Sequence, residues 1–243
     1  MKQQLKVAIP SYSGRITADT MTTVLNSSHE TMAVGFDDWA VQCYCGDARI
    51  AHVRNWIVAD FYASGFSHLL MLDDDVSAEA GTVAKMLRHR VDFIAGVYRA
   101  RKDPEEYAIR WLGEEGNWYM AEDPATGLLE VASVPAGFLL ITRACVERMM
   151  QAYPQGAFRN KKCPVPIHRL FDEDPSVLGL EGDWGEDFMF CQRWRRIGGK
   201  VLVDPSPALT HLGDKAFKGS LAGWLKSGAD QGKLQRVLHK EAA

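Results

Sequence analysis

The stretch Ser67–His68–Leu69–Leu70–Met71–Leu72–Asp73–Asp74–Asp75–Val76 constrains the fold more than any other part of the chain, because an apolar run ends directly in three consecutive carboxylates. Uninterrupted apolar residues from Leu69 to Leu72 read as a strand buried on both faces, the pattern of a parallel sheet covered by helices. The end of that strand is acidic. Adjacent negative charges repel one another, so a fold that gathers them at a strand terminus offsets the cost with a cation. Hard oxygen ligands select magnesium, manganese or calcium over zinc, and a metal with open positions can hold a diphosphate. In open α/β sheets ligands collect beyond the carboxyl ends of the strands, where this triplet falls. The alternative is a solvated turn with Ser77 capping the next helix. The run by itself fits both.

The 243 residues suffice for one domain with a substantial core. Lys and Arg number 28 against 31 Asp and Glu, a formal charge of −3, so the chain carries no overall electrostatic signature of a nucleic-acid binder. Cys43, Cys45, Cys145, Cys163 and Cys191 are odd in number and irregular in spacing, which argues against a disulfide framework and for a reducing compartment. Cys43 and Cys45 are too close together for the usual zinc pattern, even with Cys163 and His168. The N-terminus runs into a strand without the apolar region of a signal peptide, and no segment approaches the roughly 20 apolar residues of a membrane span. A cytoplasmic protein is expected.

Along the chain, Leu5 to Ile9 reads as a first strand, followed by a loop from Pro10 and a helix over about 17–26. Met32, Val34 and Phe36 alternate and predict a second strand over 31–36. Asp47 is expected to cap a long helix with Ile50, Val53, Ile57 and Phe61 on one face, ended by Gly65. The acidic strand is then the third, which predicts a doubly wound parallel half. Further elements are expected as a helix over 79–89, strands over 93–98 and 134–141, and a helix over 143–153. A helix starting on Glu186 and Asp187 stops at Gly198 and Gly199, and a strand follows over 200–204. Residues 154–183 read as a mobile active-site loop or an exposed connection.

The order strand–Pro–Ser, Arg–Asn helix, strand–Asp–x–Asp, apolar strand with Gly–Phe, Gly–Glu–Asp helix and His–x–Gly resembles the GT-A glycosyltransferases, in particular those like glycosyltransferase family 2, from about Lys6 to Gly213. The resemblance implies an α/β GT-A fold, a Rossmann-like mixed sheet flanked by helices. It implies a catalytic domain over 1–213 and leaves 214–243 as a basic helical tail, with six Lys or Arg against three acids. Leu221, Trp224 and Leu225 would face inward there, and the tail could touch anionic membrane or DNA.

The roles it implies are specific. Pro10, Ser11 and Tyr12 would lie against the nucleotide base and ribose, with Arg54 and Asn55 in the helix before the acidic strand. Asp73 would contact the nucleoside, while Asp75 and His211 would hold Mn²⁺ or Mg²⁺ on the donor's diphosphate. Asp74 is a further candidate donor or metal contact, and Gly137 and Phe138 bring backbone close to donor sugar or acceptor. Asp187, beside Glu186, would take the proton from the attacking hydroxyl. Trp184 is the preferred acceptor contact, and Trp111, Trp118 and Tyr119 could stack on sugars or bases or pack the core. The run Tyr98–Arg99–Ala100–Arg101–Lys102, with Arg99 and Arg101 as acceptor candidates, could meet diphosphate or a polyanionic acceptor, and Arg159 to Lys162 add charge.

Gln192–Arg193–Trp194 lacks the two-residue spacer of the processive members' Gln–x–x–Arg–Trp helix, which favours a single-transfer enzyme. The acceptor is left open between a glycan, lipid-linked or free, a protein and a hydroxymethylated base in DNA as phage-like enzymes use. Two other classes compete. Asp73–Asp74–Asp75–Val76–Ser77 superficially fits a haloacid-dehalogenase-like phosphatase with Asp73 as nucleophile, and a non-catalytic nucleotide-sugar-binding module would need only the cleft.

Overall fold

The computed structural model describes residues 2–154, 156–159, 163–230, 232 and 234–238. Asn160, Lys161 and Lys162 of the second basic cluster, and Lys233, Lys240 and Glu241 of the tail, lie outside them.

β1 (Gln4–Ser11) pairs in parallel with both β2 (Asp38–Cys45) and β3 (His68–Leu72), and the crossovers are α1 (Ala18–Ala33) and α2 (Ile50–Ser64). A short β4 (Val76–Ala78), α3 (Thr82–Arg88) and β5 (Phe93–Gly96) come next. Then follow β6 (Leu112–Glu114), β7 (Asn117–Glu122), β8 (Leu129–Val131), β9 (Phe138–Thr142) and α4 (Arg143–Ala152). After a 3₁₀ turn at Pro175–Leu178 the chain forms α5 (Glu186–Arg196), β10 (Val201–Asp204) and β11 (Leu209–Leu212). Beyond residue 213 lie β12 (Ala216–Gly219), α6 (Leu221–Lys226) and β13 (Leu234–Leu238). α6 is the helix expected around Trp224, and its flanking strands were not legible.

Among the described residues the main sheet runs β13-β7-β8-β10-β5-β9-β3-β1-β2, with β6 beside β7, and β12-β11-β4 make a small second sheet. β9 lies antiparallel between β3 and β5, so the sheet is mixed, as expected. Every residue from Leu69 to Leu72 is fully buried. Leu69 and Met71 join an apolar cluster with α2, α4 and α5, while Leu70 and Leu72 join another with α1 and α3. The strand's period of two thus feeds both faces, and each buried side chain contributes about 1.5–3 kcal/mol. No helix among the described residues is long and apolar enough to cross a membrane.

Three local expectations are corrected. The strand over 31–36 is absent: α1 continues to Ala33, Thr31 Oγ1 donates back to Ser27 O at 2.6 Å, and the second strand is β2. Met32 and Val34 alternated by accident, whereas β2 is an edge strand with only Tyr44 buried and so shows no clear alternation. Ser77 does not cap a helix, because Val76–Ala78 pairs with β11 and α3 starts at Thr82. Asp47 is not the cap of α2 either. That position is Arg49, and Asp47 instead accepts from the Arg49 backbone N–H at 3.0 Å and contacts His52.

Described residues of the segment 154–183 pack on the body of the protein. Ile167, Leu170 and Phe171 are buried, and Phe158 bridges to Ile167. Arg193 Nη1 donates to the carbonyls of Leu170 and Asp172, both at 2.9 Å.

Candidate functional site

The carboxyl ends of β1, β3 and β5 open onto one cleft of about 440 Å³, lined among others by Pro10, Ser11, Tyr12, Arg54, Asp73, Asp74, Asp75, Arg101 and His211. These residues come from separate parts of the sequence, and parallel pairing of β1 with β3 puts Pro10 and Asp73 at the same end of the sheet. Tyr12 is 69% exposed at the mouth, while Ser11 is buried and donates to Arg15 O at 2.9 Å, fixing the loop.

Arg54 is the hub. Its buried guanidinium donates through Nη2 to Asp73 Oδ1 and Oδ2 at 3.0 and 3.2 Å, and through Nη1 to Glu186 Oε1 at 2.5 Å. Asp187 Oδ2 stands 4.0 Å from the same nitrogen. Burial opposes the arginine's charge, but Asp73, Glu186 and Asp187 together hold its pKa above the ordinary value. Glu186 and Asp187 are the first two residues of α5, so the helix dipole also favours their charge. Burial pushes the Asp187 carboxyl up to about 6, against the pull of Arg54 and with the help of Glu186.

Gly137 sets the floor. Its carbonyl accepts from the Asp73 N–H at 2.9 Å, and a Cβ here would collide with Tyr98 Oη and the Asp73 carboxylate. Tyr98, the first residue of the run Tyr98–Lys102 noted in the sequence, follows β5 into the same cleft. Its ring meets that of His211 edge-on at 4.8 Å.

The small sheet aligns Asp75 with His211. β11 pairs with β4, opposing His211 to Val76, and Leu212 N–H donates to Asp75 O at 2.8 Å. His211 Nδ1 lies 3.2 Å from the Arg99 carbonyl, an acceptor only, so Nδ1 carries the proton and Nε2 keeps its lone pair. Nε2 faces Asp75 Oδ1 at 3.6 Å. Burial, followed by the nearby Arg101, lowers the His211 pKa and keeps the ring neutral. A lone pair and a carboxylate facing each other fit a divalent cation as an open, two-ligand site. No group of three or more His, Cys, Asp or Glu suited to a metal occurs among the described residues. Arg101 is ion-paired with the other oxygen of Asp75.

Asn55, the Arg99 guanidinium and Trp184 stand apart from this cleft. Asn55 points away, its Oδ1 accepting from the Phe171 N–H at 2.8 Å beside a neighbouring cavity of about 530 Å³. The Arg99 guanidinium turns to Lys102 O and Asp103. Asp74 lines the cleft, and its carbonyl accepts from the Thr17 N–H at 3.0 Å. Trp184 lies in a separate cavity of about 640 Å³ together with Trp111 and Trp118.

No protein-family model matches the chain, and no curated protein matches it. Among solved structures, A197 from STIV aligns with a TM-score of 0.53 and 16% identity over 91% of each chain. A glycosyltransferase involved in the glycosylation of the major capsid of PBCV-1 aligns with a TM-score of 0.32 and 10% identity over 63% of this chain and 68% of that one. The first likeness concerns the fold alone. With its mixed sheet flanked by helices and its acidic central strand end opening on a cleft, the chain has an α/β architecture consistent with a GT-A-like fold.

Proposed function

We propose that the protein is a metal-dependent glycosyltransferase that moves a sugar from a nucleotide-diphosphate donor to an acceptor hydroxyl. The observation that carries this reading is the Arg54 junction, which ties the acidic strand end at Asp73 to Glu186 and Asp187 across one guanidinium. Donor-side and acceptor-side carboxylates are thereby held in one place.

In this reading Tyr12 offers an exposed ring to the base, and Asp73, fixed by Arg54 and the Gly137 carbonyl, meets the nucleoside. Asp75 and His211 would hold Mn²⁺ or Mg²⁺. When bound, the metal supplies Lewis-acid stabilisation of the leaving diphosphate. Asp187 takes the proton of the acceptor hydroxyl as its oxygen bonds to the anomeric carbon, and the breaking bond leaves its electron pair on the diphosphate. A carboxyl with a pKa near 6 is ionised at neutral pH yet more basic than an ordinary carboxylate, which suits that task. Arg101 is the cation placed to meet negative charge at Asp75.

The phosphatase alternative fits less well. Both oxygens of Asp73 accept from Arg54, and its strand is the third rather than the first. Thermal shift with a panel of nucleotide sugars, with and without Mn²⁺ or Mg²⁺, tests the proposal. Metal-dependent stabilisation that Asp75→Ala removes is expected, and equal stabilisation without metal contradicts the role given to Asp75.

A further inference from the structure

We infer that the acceptor is a saccharide chain, seated in the tryptophan-lined cavity beside α5. This deepens the glycosyltransferase reading and rests on it. The cavity of about 640 Å³ shares Ile109, Trp111 and Trp118 with an adjoining one of about 470 Å³, so the two form a continuous groove. The groove passes from Trp184 toward Trp224.

Large aromatic rings ordinarily fill cores, and two of these do not. Trp118 and Trp184 are half-buried and belong to none of the apolar clusters among the described residues. Trp184 is nevertheless fixed: its Nε1–H donates to Glu181 O at 2.8 Å, and the Arg110 guanidinium stacks on its ring at 3.7 Å. A rigid ring outside the core, lining a cavity, is a preformed platform for the apolar C–H face of a pyranose. Polar groups complete it. Glu114 and Arg195 line the same cavity and can meet sugar hydroxyls, while Gln192 Nε2 is held by Ala132 O and Ser133 Oγ at 3.0 and 2.9 Å.

Continuity with the catalytic end follows from the chain itself. Trp184 is two positions before Glu186, and α5 carries Glu186 and Asp187 on its first turn and Gln192 and Arg195 along the groove. A saccharide on the tryptophans would therefore run toward Asp187.

Charge distinguishes a glycan from a nucleic acid. Among the described residues the groove walls carry two arginines, Arg110 and Arg195, against four acids, Glu105, Glu106, Glu114 and Asp230. The Arg99–Lys102 run is also neutralised, with Arg99 on Asp103, Arg101 on Asp75 and Lys102 on Glu106. A polyanion needs an excess of cations, and the described residues of this surface do not supply one.

The test is titration of the full chain with neutral oligosaccharides of several linkages and with single-stranded DNA, following the indole N–H signals of the seven tryptophans by NMR. An oligosaccharide that shifts the Trp118 and Trp184 signals is expected, with affinity about tenfold lower in Trp118→Ala and between the two in Trp118→Phe. Oligosaccharides that shift neither signal, or DNA that shifts them instead, overturn the inference. Nucleotide-sugar binding in the same sample reads out the donor cleft separately, so failure of the acceptor assignment and failure of the glycosyltransferase reading give different spectra.

Discussion

Arg54 and Glu186, 132 positions apart, meet in a 2.5 Å hydrogen bond beneath the surface of the protein. Through it α2, the end of β3 and the first turn of α5 share one buried cation, so the position of the candidate base depends on a residue of the donor half.

Arg54→Met should therefore damage both stability and function. Removing the cation leaves Asp73, Glu186 and Asp187 partly buried without their partner, a loss of about 3–5 kcal/mol by urea unfolding. Arg54→Lys keeps a charge without the fork and should recover part of the stability but little donor turnover.

Gly137→Ala separates the site from the fold. A methyl group would displace the Asp73 carboxylate and Tyr98 Oη, so nucleotide-sugar stabilisation in a thermal-shift assay should vanish while circular dichroism stays native.

Asn55→Ala should act on the segment that follows α4. It leaves the buried Phe171 N–H without its acceptor, at a cost of about 1–3 kcal/mol in chemical denaturation, and speeds limited proteolysis within 154–183. Asn55→Asp preserves an acceptor and should be milder.

Asp187 predicts a pH dependence of opposite sign for rate and stability. The base must be ionised, so donor turnover should fall as pH drops through about 6. Its folded pKa lies above the unfolded value of 3.8, so the folded state binds the proton more tightly and stability declines as pH rises through that window. Asp187→Asn should raise stability at pH 7.5 by on the order of 1–3 kcal/mol, with the gain disappearing below pH 4.

What the sequence disclosed was what sits in contiguous, strongly patterned pieces. The apolar run Leu69–Leu72 buries on both faces, Gly65 ends α2 in a left-handed conformation, and Gly198 does the same after α5. β2 escaped because an edge strand buries one residue and carries no alternation. β4 and β11 escaped because each gains its stability from the other, 131 residues or more away in sequence, and it is that pairing which sets His211 against Asp75. Asn55 shows the reverse: a polar residue next to Arg54 in a helix looks like part of the same site, but one step along a helix turns the side chain by about 100°. The tryptophans were visible as candidates, and only the packing separates Trp118 and Trp184, which line the groove outside the apolar clusters, from Trp111 and Trp224, which line it while packed on the core.

The central claim is tested most directly by nucleoside-diphosphate release from nucleotide sugars in Mn²⁺ at pH 7.5, comparing the wild-type chain with Asp187→Asn. The account predicts slow, metal-dependent release by the wild type that falls about 100-fold or more in the variant while donor binding persists. Equal release by both proteins, or tight donor binding with no release from any donor, would contradict it.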